Sequence, residues 1–568
     1  MSYRNLTELH RRQADRLGLL PALRYRRFGM FQDVSWERYR QDALACGAAL
    51  VDAGIKPGDR VGLLGENRLE WLIADMGLLA AAAVNVPPHA PLTARQVLFQ
   101  LDDAGVRWLF VSTAEQLAKA RQIRKELAAL EGIVVFENRE AAPAEKIYSW
   151  TSFLQRGRHA LPRLAEEMMR REAALGRDDL ATIMYTSGTT GNPKGVMLTH
   201  GNLLSNALAS LEVGRSAPDS IVLSWLPFSH IYARSVDHYQ SIAGGFVMCL
   251  AESAETLVRD LAEIQPTHMS SVPRFYEKLL TAVAAPDPQE TYRRLRTIFG
   301  PRIVWLSSGG APLPRPIAEV YEAAGLPLLQ GYGLTESSPC IAFNRKGFNK
   351  TGTVGLPLPG VEVKISGDGE VLSRGPHIMK GYWKNPQATA EAIQDGWLLT
   401  GDLGSIDADG YLSITGRKKE LLVLSNGKKV VPSFIEGLLL GDECIDQAAV
   451  CGEGRNYLTA LIVPHWENLR RALAQQGAAV DHEAHEAQDT LVRHPAVQAL
   501  LRQRIDRVLK DVSKSEQIKK FMILPHPFTM AADELTVSLK LRRNVVLKKY
   551  ASQLDALYKE GRDAADDD

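Results

Sequence analysis

Between the apolar run LATIM (180–184) and the apolar return VMLTH (196–200), the chain reads YTSGTTGNPKG. A backbone that leaves one strand-like run and enters another within so few residues must turn sharply. Gly188, Gly191 and Gly195 allow that turn and a close approach to a ligand, because no Cβ stands in the way. Pro193 fixes one bend. The hydroxyls of Thr186, Ser187, Thr189 and Thr190, with the free backbone N–H groups, can surround phosphate oxygens, and Lys194 adds a point charge. A mobile Ser/Gly linker has the glycines and hydroxyls, but not a Pro-Lys-Gly followed at once by an apolar run. The stretch therefore predicts a phosphate-binding loop between two strands. It is not the Walker form, which needs Lys followed by Ser or Thr at a helix start; here Gly195 follows Lys194.

A chain of 568 residues is too long for one hydrophobic core, so several domains or subdomains are expected. A net charge of +1 provides no general field for nucleic acid or an anionic membrane. The five cysteines (Cys46, Cys249, Cys340, Cys444, Cys451) are scattered without metal-ligand spacing and read as reduced thiols of a cytoplasmic protein. The N-terminus, MSYRNLTELHRRQ, is too polar for a secretion signal. The most apolar run, 71–88, contains Asp75, Asn85 and two prolines, so it predicts a buried helix followed by a strand, not a membrane span. Peripheral contact with the inner face of a membrane stays compatible with this reading.

Along the chain, WERYRQDALACGAALVDAG has helical apolar spacing that stops at Gly54; DRVGLLG reads as a buried strand, NRLEWLIADMGLLAAA as a helix and VRWLFVS as a strand. This rhythm means a parallel sheet covered by helices. Residues 134–150 are poorly patterned and read as connecting structure. A second alternating unit runs from Asp179 to about Leu328, with strands at IVLSWLP, GGFVMCL, THMSSVP and RIVWLSSGG. After about Gly352, frequent glycines and prolines among short alternating runs indicate a small β-rich subdomain. GYLSITGRKKELL marks a boundary, and the rest is a small α/β unit with helices near 466–476 and 495–512. The tail DAADDD reads as solvated and disordered. The expected class is α/β: a large N-terminal domain, 1–415, of parallel-type sheets with helices plus the β-rich subdomain, and a small C-terminal domain, 416–568.

Several further segments can carry chemistry. In QGYGLTES (330–337), Gly331 and Gly333 bracket Tyr332, so the ring sits on a tight turn where it can stack on a purine; Glu336 offers a hard carboxylate suited to magnesium. Taken alone, a Thr-Glu pair is as readily a helix N-terminus. Asp402, in WLLTGDLG, can accept hydrogen bonds from both ribose hydroxyls, although alone it is an ordinary turn aspartate. SSGGAPL (307–313) follows an apolar strand, and a plain strand-to-helix loop explains it equally well. His230, in LPFSHIYAR, is by itself a structural histidine, and the basic run around Lys540 by itself a surface helix.

Taken together and in this order, the motifs resemble the adenylate-forming, AMP-binding superfamily, across nearly the whole chain. VPRFYEKL (272–279) resembles its bacterial long-chain fatty acyl-CoA synthetases in particular. The resemblance implies ATP and Mg²⁺ as cofactors and a fatty acid and CoA as substrates, with no nucleic-acid partner; it leaves a homodimer open. It implies that Thr186, Ser187, Gly188, Thr189, Thr190, Gly191 and Lys194 hold phosphates. Gly309, Gly310 and Ala311 would wall the adenine and acyl slot, and Gln330, Gly331, Tyr332, Gly333 and Thr335 the adenine. Asp402 and Arg417 would hold the ribose, Thr186 and Glu336 the magnesium, and His230 would border the acyl carboxylate. Lys419 falls at the hinge of a mobile C-terminal domain.

The catalytic lysine of this family lies near the C-terminus, here Lys540 in LTVSLKLRR, with Lys519 and Lys520 as rivals. Many members carry a glycine directly before that lysine and a proline a little earlier. Leu539 stands in the glycine's place and no proline lies in 535–539, a form similar to that of the long-chain bacterial synthetases. The implied reaction is activation of a fatty acid to acyl-AMP and transfer to CoA. Other readings are a fatty acyl-AMP ligase serving a carrier protein, a CoA ligase for aryl or short acids, and a non-catalytic lipid or nucleotide binder.

Overall fold

Strands without a polar face fill the first part of the chain: Arg60–Leu64, Trp108–Val111 and Gly132–Val135 are buried over almost every residue. Strands of this kind need helices on both faces of a parallel sheet. The computed structural model, which describes residues 3–186, 193–476, 488–536 and 540–559, shows that arrangement. An eight-stranded sheet runs, in spatial order, Gly381–Tyr382, Lys194–Thr199, Leu180–Thr186, Val84–Val86, Arg60–Leu64, Trp108–Val111, Gly132–Val135 and Ile147–Ser149. The six strands from Leu180–Thr186 onward are parallel, and the first two are antiparallel additions. Ser35 caps the helix Trp36–Asp52 by accepting from the Arg38 N–H, and the helix Leu69–Ala80 packs beside it, as the apolar spacing predicted.

A nine-stranded sheet holds Ile221–Ser224, Val247–Leu250, His268–Ser271, Trp305–Ser308 and Leu328–Gly333, the first four at the runs predicted as strands. Two expectations need correction. Residues 134–150 are more than connecting structure: Gly132–Val135 and Ile147–Ser149 complete the parallel edge of the first sheet, on which the helix Trp150–Ala174 follows directly. The alternating unit that begins at Leu6 also does not serve one sheet. Its hairpin, Pro21–Arg27 and Met30–Ser35, joins the second sheet by pairing with Val247–Leu250, a partner more than two hundred residues away.

The β-rich segment is a five-stranded antiparallel sheet built on Trp397–Ile406. From Leu422 onward a separate apolar core gathers around the three-stranded sheet Ile445–Cys451, Leu458–Pro464 and Ile518–Ile523, with helices Trp466–Gln475 and Pro495–Val508 against it. The acidic tail lies outside the described residues. All five cysteines are free and buried, and burial pushes Cys249, Cys340, Cys444 and Cys451 up to about 12, so they stay protonated near neutral pH. Among the described residues no helix is long and apolar enough to cross a membrane.

Where the two large sheets meet, their elements are joined by charge. Arg234, on the helical turn Ala233–Tyr239, reaches Asp75 on the helix Leu69–Ala80 at 2.5 Å, and both side chains are fully buried. Asp75 also accepts from Asn85 (2.7 Å) and from the Tyr239 hydroxyl (2.8 Å), while Arg234 donates to Thr182 (2.8 Å). Breaking a buried pair leaves one charge without compensation, which costs about 3–5 kcal/mol. Arg234→Met and Asp75→Leu should each lower unfolding free energy by about that amount in denaturant titration. The double variant should lose less than the sum; full additivity would mean that the two charges are not coupled.

Candidate active site

Thr186, Gly333 and the Gly309–Ala311 run sit at or just beyond the carboxyl ends of strands, where open α/β sheets leave a crevice. Thr186 is the last residue of Leu180–Thr186 and pairs with Lys194, the first residue of the returning strand. Ser187, Gly188, Thr189, Thr190 and Gly191 lie outside the described residues. The returning strand is held from its other side: Gly381 and Tyr382 pair with Met197 and Val196. Tyr382 then does two things. Its ring lies 4.9 Å beneath the Lys194 ammonium, and its hydroxyl donates to Glu336 Oε1 at 2.9 Å. The phosphate-loop lysine and the predicted magnesium carboxylate therefore share one tyrosine that sequence reasoning had not singled out. Its only sequence signal is an aromatic after Gly381, which means nothing until the strands pair.

Glu336 stands in a three-residue turn, Thr335–Ser337, after the strand Leu328–Gly333. Gly333 is required by contact: a Cβ there would stand 1.8 Å from the Pro339 carbonyl oxygen. Tyr332, predicted as a purine platform, also donates its hydroxyl to Asp402 Oδ2 at 2.7 Å, and Arg417 Nε donates to Asp402 Oδ1 at 2.8 Å. Each carboxylate oxygen has a second lone pair, so Asp402 can still accept from ribose hydroxyls while its orientation is fixed from two sides. Gln330 and Gly331 continue the same strand, and the Gln330 carbonyl accepts from the Asn344 N–H at 3.0 Å.

Gly309, Gly310 and Ala311 follow the strand Trp305–Ser308. A Cβ on Gly309 would meet the Tyr232 ring at 3.1 Å, and Gly310 has φ +81°. Tyr232, which shares a hydrogen bond with Ser307 Oγ at 2.9 Å, is thus the wall that the glycines permit.

Two residues from the first sheet, neither of them predicted, fix the segment bearing His230. Asn67 donates to the Leu226 carbonyl (2.6 Å) and accepts from the Phe228 N–H (2.9 Å), and His89 binds Ser229 Oγ at 2.7 Å and stacks on His230 with centroids 6.2 Å apart. Burial, with the fields of His89 and Lys540, pushes His230 down to about 3. The ring is neutral, and Nδ1 accepts the Tyr232 N–H at 3.2 Å, which assigns the ring proton to Nε2. His230 is a hydrogen-bond donor, not a base.

Lys540 is bonded back to Thr536: its carbonyl accepts from the Thr536 N–H (2.8 Å) and its N–H donates to Thr536 Oγ1 (3.0 Å). Leu539 lies outside the described residues. The Lys540 side chain keeps solvent contact but stands between protein walls. That enclosure, then the charge of Arg417, holds its ammonium below the ordinary lysine value against the pull of Asp402, Glu420 and Glu336. Lys540 therefore lies in the field of Asp402 and Glu336 from the first domain and of Arg417 and Glu420 just past its end. Lys519 and Lys520 belong instead to Ile518–Ile523, paired with Leu458–Pro464. Lys419 is exposed in the turn Lys418–Glu420 between two strands, and Lys418 beside it is tied to Asp368 (2.6 Å) and Glu370 (2.9 Å).

Known proteins resemble the chain in sequence and in fold. Residues 10–383 match the family model described as "AMP-binding enzyme", and residues 419–562 the one described as "AMP-binding enzyme C-terminal domain". "Long-chain-fatty-acid--CoA ligase FadD15" of Mycobacterium tuberculosis is 33% identical, covering 93% of each chain. "Long chain acyl-CoA synthetase 1" of Arabidopsis thaliana is 30% identical over 92% of this chain and 88% of its own. Among solved structures, the anthranilate CoA ligase AuaEII in complex with anthranoyl-AMP superposes with a TM-score of 0.79 at 23% identity, covering 98% of both chains. The Mycobacterium tuberculosis fatty acyl CoA synthetase does so with a TM-score of 0.66, also at 23% identity, covering 97% of this chain and 99% of its own.

Tyr382→Phe removes one hydrogen bond to Glu336 and keeps the ring under Lys194. The expected outcome is a several-fold higher Mg²⁺ requirement, with a stability loss of at most about 1.5–3 kcal/mol, the contribution of one hydrogen bond to a charged acceptor. Magnesium titration of activity checks it; an unchanged requirement would separate Tyr382 from the metal carboxylate.

Proposed function

The chain belongs to the AMP-binding enzyme family, and from that premise we propose that it is an AMP-forming fatty acyl-CoA ligase acting on long-chain acids. The observation that carries the reading is that Tyr332 and Arg417 both bond Asp402, while Arg417, Asp402 and Glu336 all act on the ammonium of Lys540, which comes from a separately cored C-terminal unit. We place the boundary between the units at 415/416, with Lys419 as the hinge.

A carboxylate is a poor electrophile until AMP becomes its leaving group. In the first half-reaction the fatty-acid oxygen attacks the α-phosphorus of ATP and pyrophosphate leaves; in the second the CoA thiol attacks the acyl carbon and AMP leaves. Asp402, oriented by Tyr332 and Arg417, holds the ribose. Gly309, Gly310 and Tyr232 bound the acyl slot, and the neutral His230 donates to the acyl carboxylate without taking its proton. Lys540 offsets the charge that builds on the α-phosphate. A lone hard carboxylate such as Glu336 suits magnesium, which keeps water and phosphate oxygens as its other ligands, with Thr186 beside the phosphates. When bound, that ion neutralises charge on the departing pyrophosphate.

Three outcomes test the proposal. Lys540→Ala should lose about a hundredfold or more in pyrophosphate exchange with ATP, yet make thioester from supplied acyl-AMP and CoA at close to the normal rate; equal loss in both halves would remove Lys540 from the adenylation step. Because its ammonium is held below the ordinary value, adenylation should fall as pH rises through a pKa lower than about 10.4, and Lys540→Arg should shift that limb upward. Across acids of graded length, kcat/KM should rise about fourfold per methylene, from about 0.8 kcal/mol of burial each, until the slot is full. Acetate or benzoate used as well as dodecanoate would overturn the long-chain assignment.

A further inference from the structure

Arg274 is out of place for the stability of its own helix. It is the second residue of Pro273–Val283, which follows the strand His268–Ser271 at the cleft rim. A cation in the first turn of a helix opposes the helix dipole. Two carboxylates hold it there. Glu277, one turn on, approaches at 3.5 Å, and Asp446 forms an ion pair with it from the C-terminal unit's strand Ile445–Cys451. Burial pushes the Glu277 carboxyl up, against the pull of Arg274 and with a further push from Asp446, so the three groups lie within one another's fields.

Asp446 is rigidly connected to the Lys540 segment. Its neighbour Gln447 accepts from the Phe528 N–H at 2.6 Å and donates to the Phe528 carbonyl at 3.3 Å. The next residue, Thr529, donates its N–H to the buried Glu534 at 3.0 Å, and the Glu534 carbonyl accepts from the Arg542 N–H at 2.8 Å. Arg542 lies just beyond Lys540. Bidentate pairing of Arg543 with Glu436, at 2.6 and 2.7 Å, ties the far side of that segment to the body of the unit.

We infer that the Arg274–Asp446 ion pair is a positioning contact that sets the C-terminal unit so that Lys540 stands in the cleft for adenylation. The inference rests on the adenylating role proposed above. It assigns Arg274, in VPRFYEKL, a part in aligning the domains. Because the pair is separate from the cleft chemistry, its loss should depopulate one orientation without harming the groups that bind ATP, acid or CoA.

The test uses the full chain and compares wild type, Arg274→Ala, Asp446→Ala and the charge-exchanged double variant Arg274→Asp/Asp446→Arg. Each single variant should slow fatty-acid-dependent pyrophosphate exchange about tenfold, leave thioester formation from supplied acyl-AMP within about twofold, and be largely rescued by the exchange. The intact thioester half-reaction also reports that the variants fold. Unchanged exchange, equal loss in both halves, or no rescue would overturn the inference. A second readout does not need activity: spin labels at Ala282→Cys and Glu467→Cys, both exposed positions on opposite units, should give a broader distance distribution in each single variant. An unchanged distribution would overturn the positioning role. Failure of wild type to exchange pyrophosphate with any fatty acid would instead defeat the functional reading, and the label distances would still judge the ion pair.

Discussion

The buried pair of Arg234 and Asp75 is the constraint on which the architecture turns. Burial alone would push the Asp75 carboxyl up, but Arg234 and His238 outweigh it and hold it well below the ordinary value. A charge buried this deeply is tolerated only when paired and fully hydrogen-bonded. The bonds come from a helix and two strands of the first sheet (Asp75, Asn85, Thr182) and from the helical turn beside the second (Arg234, Tyr239). The Tyr39 hydroxyl extends the network to the helix Trp36–Asp52 through His238 at 2.7 Å. The two sheets can therefore meet in few ways, because any shift leaves ions without partners in an apolar surrounding. Such a joint specifies geometry more than it adds stability.

From that joint, the cleft follows. The segment 226–234 carries both Arg234, in the joint, and His230 and Tyr232, two of the residues at the candidate site. Asn67 and His89 fix the same segment from the first sheet. One short stretch therefore links the sheet-to-sheet geometry to the position of His230 and Tyr232. Two tyrosine hydroxyls perform the corresponding service for the carboxylates, Tyr382 for Glu336 and Tyr332 for Asp402. Each tyrosine orients an acidic group without neutralising it, which keeps both carboxylates available to a cation or to hydroxyl donors.

The electrostatics of the cleft divide between the two units. The large domain supplies Asp402 and Glu336; the C-terminal unit supplies Lys540, and Arg417 and Glu420 stand just past the boundary between them. With desolvation and the charge of Arg417 acting on it, the charged form of Lys540 is less favourable than in water. The position is maintained by contacts remote from it, through Thr536, Glu534 and the ion pair of Arg274 with Asp446.

The amino-acid sequence by itself determined the parallel α/β class, four strand runs of the second sheet and the residue types available to the candidate site. Apolar runs bounded by turns, glycines at contact-limited positions such as Gly333, and functional groups such as Glu336 and Asp402 are local properties, written in consecutive residues. The strands at 132–149 escaped notice because so short an apolar run, followed by a charged stretch, carries no period of its own. The placement of the N-terminal hairpin, the buried joint, and the roles of Tyr382, Asn67, His89 and Arg274 were decided only by tertiary structure. Each depends on partners brought together across long separations: Arg234 with Asp75 across 159 residues, Asn67 with Leu226 across 159, Arg274 with Asp446 across 172. Sequence periodicity reports which face of an element is apolar; it holds no record of which distant charge will lie opposite, because that is fixed only when the cores pack.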